Sequence, residues 1–138
     1  MRSTTPIARK LRIAPDDRFA LFNAPSGYAA RVRPAAPGHR DVEVMPGTQA
    51  TAADRRLDAA LIFVRRARDL GAARDTARSV KPDGLIWIAY PKGGALETDL
   101  NRDVLRERLA QHGLEGVSLI ALDDTWSAMR FKRTAKSR

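Results

Sequence analysis

The sequence lacks cysteine altogether and has only two histidines, His39 and His112. Disulfide bonds, thiolate metal sites and cysteine nucleophiles are therefore excluded, and a zinc site has few ligands to draw on. No apolar stretch approaches the roughly 18–20 residues that a membrane-spanning helix needs. The N-terminus has no apolar signal core either, so we expect a cytoplasmic location and no membrane partner.

Acidic residues are missing from both ends of the chain, and the net charge is +9. Residues 1–12 carry four basic residues and residues 130–138 carry five, with no acid in either segment. The 16 remaining basic residues balance the 16 acidic ones, so the central part is electroneutral. We interpret the ends as solvated termini, with nucleic-acid binding through them as an alternative.

The length of 138 residues fits one domain with a substantial core. We expect a basic, flexible N-terminal segment over residues 1–12 and a single α/β domain over residues 13–133. Residues 134–138 then form a basic C-terminal tail.

Two apolar runs dominate the sequence, at residues 59–64 and 85–90. Each run is apolar on both faces, which is typical of central strands in a parallel sheet covered by helices. Between them Leu70, Ala73 and Ala77 recur at helical spacing. This strand, helix, strand unit predicts a doubly wound, mostly parallel α/β sheet of the Rossmann-like kind.

Four shorter segments complete the predicted sheet: residues 18–23, 41–45, 117–122 and 126–132. A tight turn at residues 123–125 makes the last strand antiparallel to the fifth. We expect about five parallel strands in the order 3-2-1-4-5, with the antiparallel strand at the edge beside strand five.

A second helix is predicted after the fourth strand. Thr98 or Asp99 is expected to cap its start, and Leu105 belongs to its buried stripe. Gly113 stands where the helix should end.

Ligands of such sheets bind beyond the carboxyl ends of the strands, where the strand order reverses. In the predicted order this point lies between the first and fourth strands, so the loops over residues 23–28 and 90–94 should face each other across a crevice. The candidate ligand-binding residues lie in these loops and after the third and fifth strands: Asn23, Ser26, Gly27, Tyr28, Arg65, Tyr90, Lys92, Gly93, Gly94, Asp123, Asp124 and Thr125.

Each candidate also has a purely structural explanation. Lys92 and the glycines beside it could hold a phosphate or carboxylate, but the same pattern is at least as typical of a flexible loop with an exposed lysine. Asp123 and Asp124 could hold a cation, although adjacent carboxylates in a hairpin turn more often bond to the backbone of the turn. Tyr28 and Tyr90 could stack on a planar ligand, or they could be half-buried packing residues whose hydroxyls contact water. We predict no catalytic residue and no metal site.

Residues 58–90 resemble class I S-adenosylmethionine-dependent methyltransferases, in which an acidic-led strand, a helix, a Lys-Pro-Gly-Gly-like turn and another apolar strand follow one another. The terminal antiparallel strand is similar too. The resemblance implies S-adenosylmethionine as cofactor, but two departures argue against it. Residues 23–27 replace the family's Gly-x-Gly-x-Gly loop, and Met45 and Pro46 stand where an acidic residue would bind the ribose hydroxyls.

Four blocks also resemble a small bacterial family, a domain of unknown function. They are residues 21–28 (LFNAPSGY), 87–92 (WIAYPK), 98–103 (TDLNRD) and 123–131 (DDTWSAMRF). This resemblance implies a bacterial origin and a shared site.

We interpret the chain as a non-catalytic Rossmann-like protein, monomer or homodimer. It would bind a small anionic molecule or a protein partner at the carboxyl edge of its sheet. A divergent S-adenosylmethionine-dependent methyltransferase is the alternative, and nucleic-acid binding through the basic termini is the second alternative.

Overall fold

The computed structural model describes residues 7–14, 16–32, 43–45, 57–93 and 97–134. The strands are β1 Phe19–Phe22, β2 Glu43–Met45, β3 Leu57–Phe63, β4 Val80–Pro91, β5 Leu114–Ala121 and β6 Trp126–Arg133. The helices are α1 Ile7–Lys10, α2 Tyr28–Val32, α3 Leu70–Thr76 and α4 Arg102–Ala110. No helix within these ranges is long and apolar enough to cross a membrane.

The strands form one six-stranded sheet in the order β2-β1-β3-β4-β6-β5. β1 is parallel to β2 and β3, and β3 is parallel to β4. β6 is antiparallel to both β4 and β5, so five strands share one direction. The predicted doubly wound, mostly parallel α/β fold is confirmed.

The predicted strand order 3-2-1-4-5 is wrong, because β3 lies in the middle of the sheet between β1 and β4. All residues of β3 except Asp58 are buried. A strand that is apolar on both faces is most stable where neighbours and helices cover it on every side. The expectation that residues 59–64 form a central strand was therefore right, and the order that placed them at an edge was not.

The antiparallel strand is not an edge strand either, because β6 lies between β4 and β5. Ala128 and Met129 of β6 point to opposite faces and are both fully buried. In β5 only Leu114 is buried; the rest of the strand alternates between exposed and partly buried positions, and Val117 and Leu119 are each 40 % exposed. The strand with more apolar surface on both faces takes the inner position and leaves β5 at the edge.

Apolar cores lie on both faces of the sheet. On one face Leu70 of α3 and Leu105 of α4 pack against the sheet. On the other face Val32 of α2 and Leu11 pack around Trp87. The Trp87 Nε1 donates to the Leu11 carbonyl oxygen at 3.0 Å. The folded part of the chain thus includes α1 and Leu11, which fall inside the segment that we expect to be flexible.

Some of the basic residues near the termini bond to the fold. Arg133 Nη2 donates to the carbonyl oxygens of Ala77 at 2.7 Å and Val80 at 2.9 Å, after the end of α3. Lys10 Nζ donates to the Ala121 carbonyl oxygen at 3.1 Å. Arg133 and Lys10 are therefore bonded to the fold, while the interpretation of the ends as a whole stays a prediction.

β4 begins at Val80, earlier than predicted, so Gly84 lies within the strand rather than in a turn. The register against β3 shifts between Leu57 and Ala59 at this level. A Cβ at Gly84 would lie 2.7 Å from the Asp58 carbonyl oxygen and 2.5 Å from Val80 Cγ1. Only glycine allows β3 and β4 to approach this closely.

Candidate functional site

The chain reverses its winding beside β1, which has β2 on one side and β3 on the other. The carboxyl ends of β1 and β3 therefore flank the switch point, where ligands bind in sheets of this kind. The predicted crevice between the first and fourth strands is wrong, because β3 separates them. The loops at Asn23 and Lys92 share one edge of the sheet, but two strand spacings, roughly 10 Å, lie between them.

The turn that follows β1 is built around two residues with positive φ, Asn23 at 60° and Gly27 at 84°. Asn23 Nδ2 donates to the Phe63 carbonyl oxygen at 3.2 Å, which joins the ends of β1 and β3. A Cβ at Gly27 would meet no atom within 4 Å. Ser26 and Gly27 are exposed, so the backbone of this turn borders open space at the switch point.

Tyr28 does not face a crevice but is buried at the start of α2, with only 2 % of its surface exposed. Its hydroxyl donates to Asp123 Oδ2 at 2.5 Å. Arg31 Nη1 donates to the same oxygen at 2.9 Å, and its guanidinium lies 4.6 Å from the centre of the Tyr28 ring. These contacts fasten α2 to the turn between β5 and β6.

The other carboxylate oxygen of Asp123 holds that turn. Asp123 Oδ1 accepts the backbone N–H groups of Thr125 and Trp126, both at 2.8 Å. The backbone-bonding role expected for the paired carboxylates is confirmed for Asp123, whereas Asp124 is exposed.

The charges of Asp123 and Tyr28 are fixed at neutral pH. Burial would raise the pKa of Asp123, but the hydrogen bonds from Tyr28, Trp126, Thr125 and Arg31 outweigh it and lower that pKa. Burial, and then the bond to Asp123, raise the pKa of the Tyr28 phenol. Asp123 is therefore ionised and Tyr28 protonated, and neither is poised to transfer a proton.

Aromatic rings fill the core below the switch point. The Phe63 ring meets the rings of Tyr28 and Trp126 edge-on, each at a centroid distance of 5.0 Å. The exposed Arg65 places its guanidinium 5.1 Å from the Trp126 ring centre. Trp126 is buried in this core, and Arg65 is held over the ring cluster at the carboxyl end of β3.

A cavity of about 290 Å³ opens beyond the carboxyl end of β4, on the face that α4 covers. Among its lining residues are Tyr90, Lys92, Asn101, Arg102, Leu119 and Ser127. Tyr90, Lys92 and Gly93 were candidates from the sequence, and Gly94 lies outside the described residues.

Two other residues of this cavity, Leu119 and Ser127, were not considered from the sequence. Ser127 is brought opposite Tyr90 by the register of β6 on β4, which the tight turn before β6 could have suggested. Asn101 and Arg102 belong to the start of α4, and a helix start after a parallel strand is a common ligand position. Leu119 comes from the edge strand, which no local pattern assigns to this site.

The start of α4 is fixed by side chains before it. Asn101, not the predicted Thr98 or Asp99, caps the helix, because its Oδ1 accepts the Val104 N–H at 2.9 Å. Thr98 Oγ1 instead donates to the Arg65 carbonyl oxygen at 2.5 Å. Asp99 Oδ1 accepts the Ala67 N–H at 2.8 Å. Both bonds tie this segment to the loop after β3.

The cavity is rich in cationic groups. Lys92 is half-buried, and its backbone N–H donates to the Thr125 carbonyl oxygen at 2.8 Å. Arg102 Nε lies 3.7 Å from Asp103 Oδ1, and both side chains are largely exposed. Burial raises the pKa of the Tyr90 phenol, while the nearby Arg102 charge and a hydrogen bond with Ser127 act in the opposite direction.

The residues that the structure describes contain no group of three or more acidic, histidine or cysteine side chains that could hold a metal ion.

No protein-family model matches this sequence, and no curated protein matches it either. The fold, in contrast, is similar to many solved structures. One is 1,6-didemethyltoxoflavin-N1-methyltransferase from Burkholderia thailandensis, solved with S-adenosylhomocysteine. It aligns with a TM-score of 0.65 and 13% identity over 94% of this chain and 77% of that one.

Two further structures extend the comparison. A TehB-like S-adenosylmethionine-dependent methyltransferase from Corynebacterium glutamicum aligns with a TM-score of 0.60 and 14% identity, over 96% of this chain and 89% of that one. A chain from the Haloferax volcanii complex of the Trm112 methyltransferase activator with a methyltransferase aligns with a TM-score of 0.63 and 13% identity. The alignment covers 96% of this chain and 88% of that one. The chain has a methyltransferase-like Rossmann fold. At these identities the similarity establishes the fold alone.

The turn after β1 leaves its backbone open to a ligand. Positive φ at Asn23 and Gly27, with open space beside Gly27, allows a ligand to approach the backbone closely. The carboxylate of Asp69, after β3, is already engaged, because its Oδ2 accepts the N–H groups of Arg65 and Arg66, both at 3.1 Å.

Proposed function

We propose that this chain binds S-adenosylmethionine at the switch point between β1 and β3 and acts as a divergent methyltransferase. The observation that carries the proposal is the strand order, which puts the positive-φ turn of Asn23 and Gly27 at that point. The methyltransferase folds of the compared structures support it. They favour this alternative over the non-catalytic interpretation that we preferred from the sequence.

In this proposal residues 23–27 hold the cofactor, which supplies an electrophilic methyl group when bound. The amide nitrogen of Asn23 is engaged with Phe63, so its amide oxygen is the atom that would accept a hydrogen bond from the cofactor's ammonium group. The Ser26 hydroxyl is a further donor on the exposed side of the turn. Tyr28 and Asp123 act as positioning residues, since they hold α2 behind this turn.

Calorimetry with S-adenosylmethionine and S-adenosylhomocysteine tests the proposal. We expect micromolar binding of at least one of them, and a loss of about tenfold or more in Gly27→Val, because a β-branched residue resists a φ of 84°. Gly71→Ala is the matched control, since a Cβ there also meets no atom within 4 Å and the residue lies in α3.

Two results would contradict this assignment. One is the absence of heat with either compound at millimolar concentration. The other is unchanged affinity in a Gly27→Val protein whose circular dichroism spectrum matches that of the parent chain.

Binding of a protein partner is a second candidate from the sequence. The similar Haloferax volcanii chain was solved in a complex that contains an activator protein, which supports a partner here. Nucleic-acid binding through the basic termini stays a prediction. Removing only residues 1–6 and 135–138 should weaken salt-dependent retention on DNA if it is correct, and this truncation spares the buried Leu11.

A further inference from the structure

The cavity beside α4 is separate from the switch point. It opens at the carboxyl end of β4, whereas the switch point lies between β1 and β3. Its volume of about 290 Å³ is at the lower end of the range for small-molecule sites. A ligand about the size of benzoate would fit.

Two cationic side chains and two hydroxyls converge on this space. Lys92 is anchored through its backbone bond to Thr125, and Arg102 sits in the first turn of α4. Tyr90 and Ser127 are register partners on β4 and β6, and their hydroxyls are hydrogen-bonded to each other at the cavity, so the pair leaves one O–H donor for a ligand. An ammonium, a flat guanidinium and one hydroxyl together are donors suited to a carboxylate.

The one carboxylate among the lining residues does not neutralise these cations effectively. Asp103 Oδ1 is 3.7 Å from Arg102 Nε, which is beyond hydrogen-bond distance. The Asp103 side chain is 82% exposed and that of Arg102 61% exposed, so solvent screens the pair. A ligand carboxylate can replace Asp103 as the partner of Arg102 at little cost.

An apolar wall accompanies the cations. Leu119 is 40 % exposed, although its partner across the strand pair, Met129, is fully buried. The ring of Tyr90 forms the neighbouring part of the cavity. An inorganic anion would leave this apolar surface in water, whereas an organic anion with a flat apolar body would cover it.

We propose that the cavity formed by Tyr90, Lys92, Arg102, Leu119 and Ser127 binds a small organic carboxylate, with its charged group between Lys92 and Arg102 and its apolar body against Leu119 and Tyr90. This site is additional to the one proposed for S-adenosylmethionine and does not depend on it.

The test is a titration with benzoate, followed by two-dimensional NMR or calorimetry, with neutral benzamide as the matched ligand. We expect benzamide to bind at least about tenfold more weakly than benzoate. Lys92→Met and Arg102→Gln should each weaken benzoate binding by about five- to tenfold. Arg108→Gln, which removes the same charge from the last turn of α4, should stay within about twofold.

A second variant keeps the test independent of folding defects. Leu119→Asp changes a side chain that is already 40 % exposed, so the fold should tolerate it, while the new charge should repel benzoate and abolish binding. Equal binding of benzamide, unchanged binding in the Lys92, Arg102 and Leu119 variants, or no benzoate binding by the parent chain would overturn the proposal.

The two proposed sites can be told apart with one more variant. Gly27→Val should leave benzoate affinity unchanged even where it abolishes cofactor binding. Loss of benzoate binding in Gly27→Val would place the anion at the switch point and refute the cavity assignment.

Discussion

Replacing Asp123 by alanine tests the main stabilising contact between α2 and the β5–β6 turn. The Tyr28 hydroxyl is bonded to Asp123 at 2.5 Å within a nearly fully buried residue, so the substitution leaves a buried donor without this acceptor. An unsatisfied buried donor costs about 1–3 kcal/mol. The two turn N–H groups that Asp123 accepts add about 1 kcal/mol, by analogy with loss of a helix cap.

The ion pair with Arg31 adds little to this sum. The Arg31 side chain is 48% exposed, so screening by solvent leaves at most a few tenths of a kcal/mol. The expected loss in the free energy of unfolding is therefore about 2–4 kcal/mol. In a chain of 138 residues one kcal/mol corresponds to about 3 °C, so the melting temperature should fall by roughly 6–12 °C.

Urea unfolding of the parent chain, Asp123→Ala and Asp124→Ala measures the effect. Asp124 is the next residue and carries the same charge, but it is exposed, so its substitution should cost no more than about 0.5 kcal/mol. Equal losses in the two variants, or a loss below 0.5 kcal/mol for Asp123→Ala, would refute the assignment of the effect to the Tyr28 and turn bonds.

Two further predictions concern stability. Because the folded-state pKa of Asp123 is lowered, its stabilising contribution is complete above the unfolded pKa of about 4 and is lost as the pH falls through the folded value. Urea midpoints measured at descending pH should therefore drop more steeply for the parent chain than for Asp123→Asn, and parallel curves would contradict this. The free energy of unfolding should fall by about 1–3 kcal/mol in Gly84→Ala, because the added Cβ would lie 2.7 Å from a backbone oxygen of β3. Gly71 lies in a helix with open space beside it, so Gly71→Ala should leave the stability unchanged or raise it by up to about 1 kcal/mol. Thermal melts of the two variants measure this difference.

Much of the candidate site could be predicted one loop at a time. The turn chemistry at Asp123 and the buried position of Trp126 follow from local patterns. The grouping of loops could not be predicted, because it depends on which strand lies beside β1. Tyr28 illustrates this: from the sequence its ring could face a ligand or pack in the core, and only the fold shows that it is buried against Phe63 and Asp123.

The sequence by itself determined the fold class, since residues 59–64 and 85–90 are apolar on both faces and a helix-length segment separates them. It also indicated the turn after α4, in which Gly113 has a φ of 82°, although the helix itself ends three residues earlier at Ala110. Only the tertiary structure decided that β3 is central and that β6 lies between β4 and β5. It also decided that Leu119 and Ser127 share a cavity with Lys92. The physical reason is that periodicity reports how much of a segment is buried, whereas neighbour order depends on contacts between segments far apart in the chain.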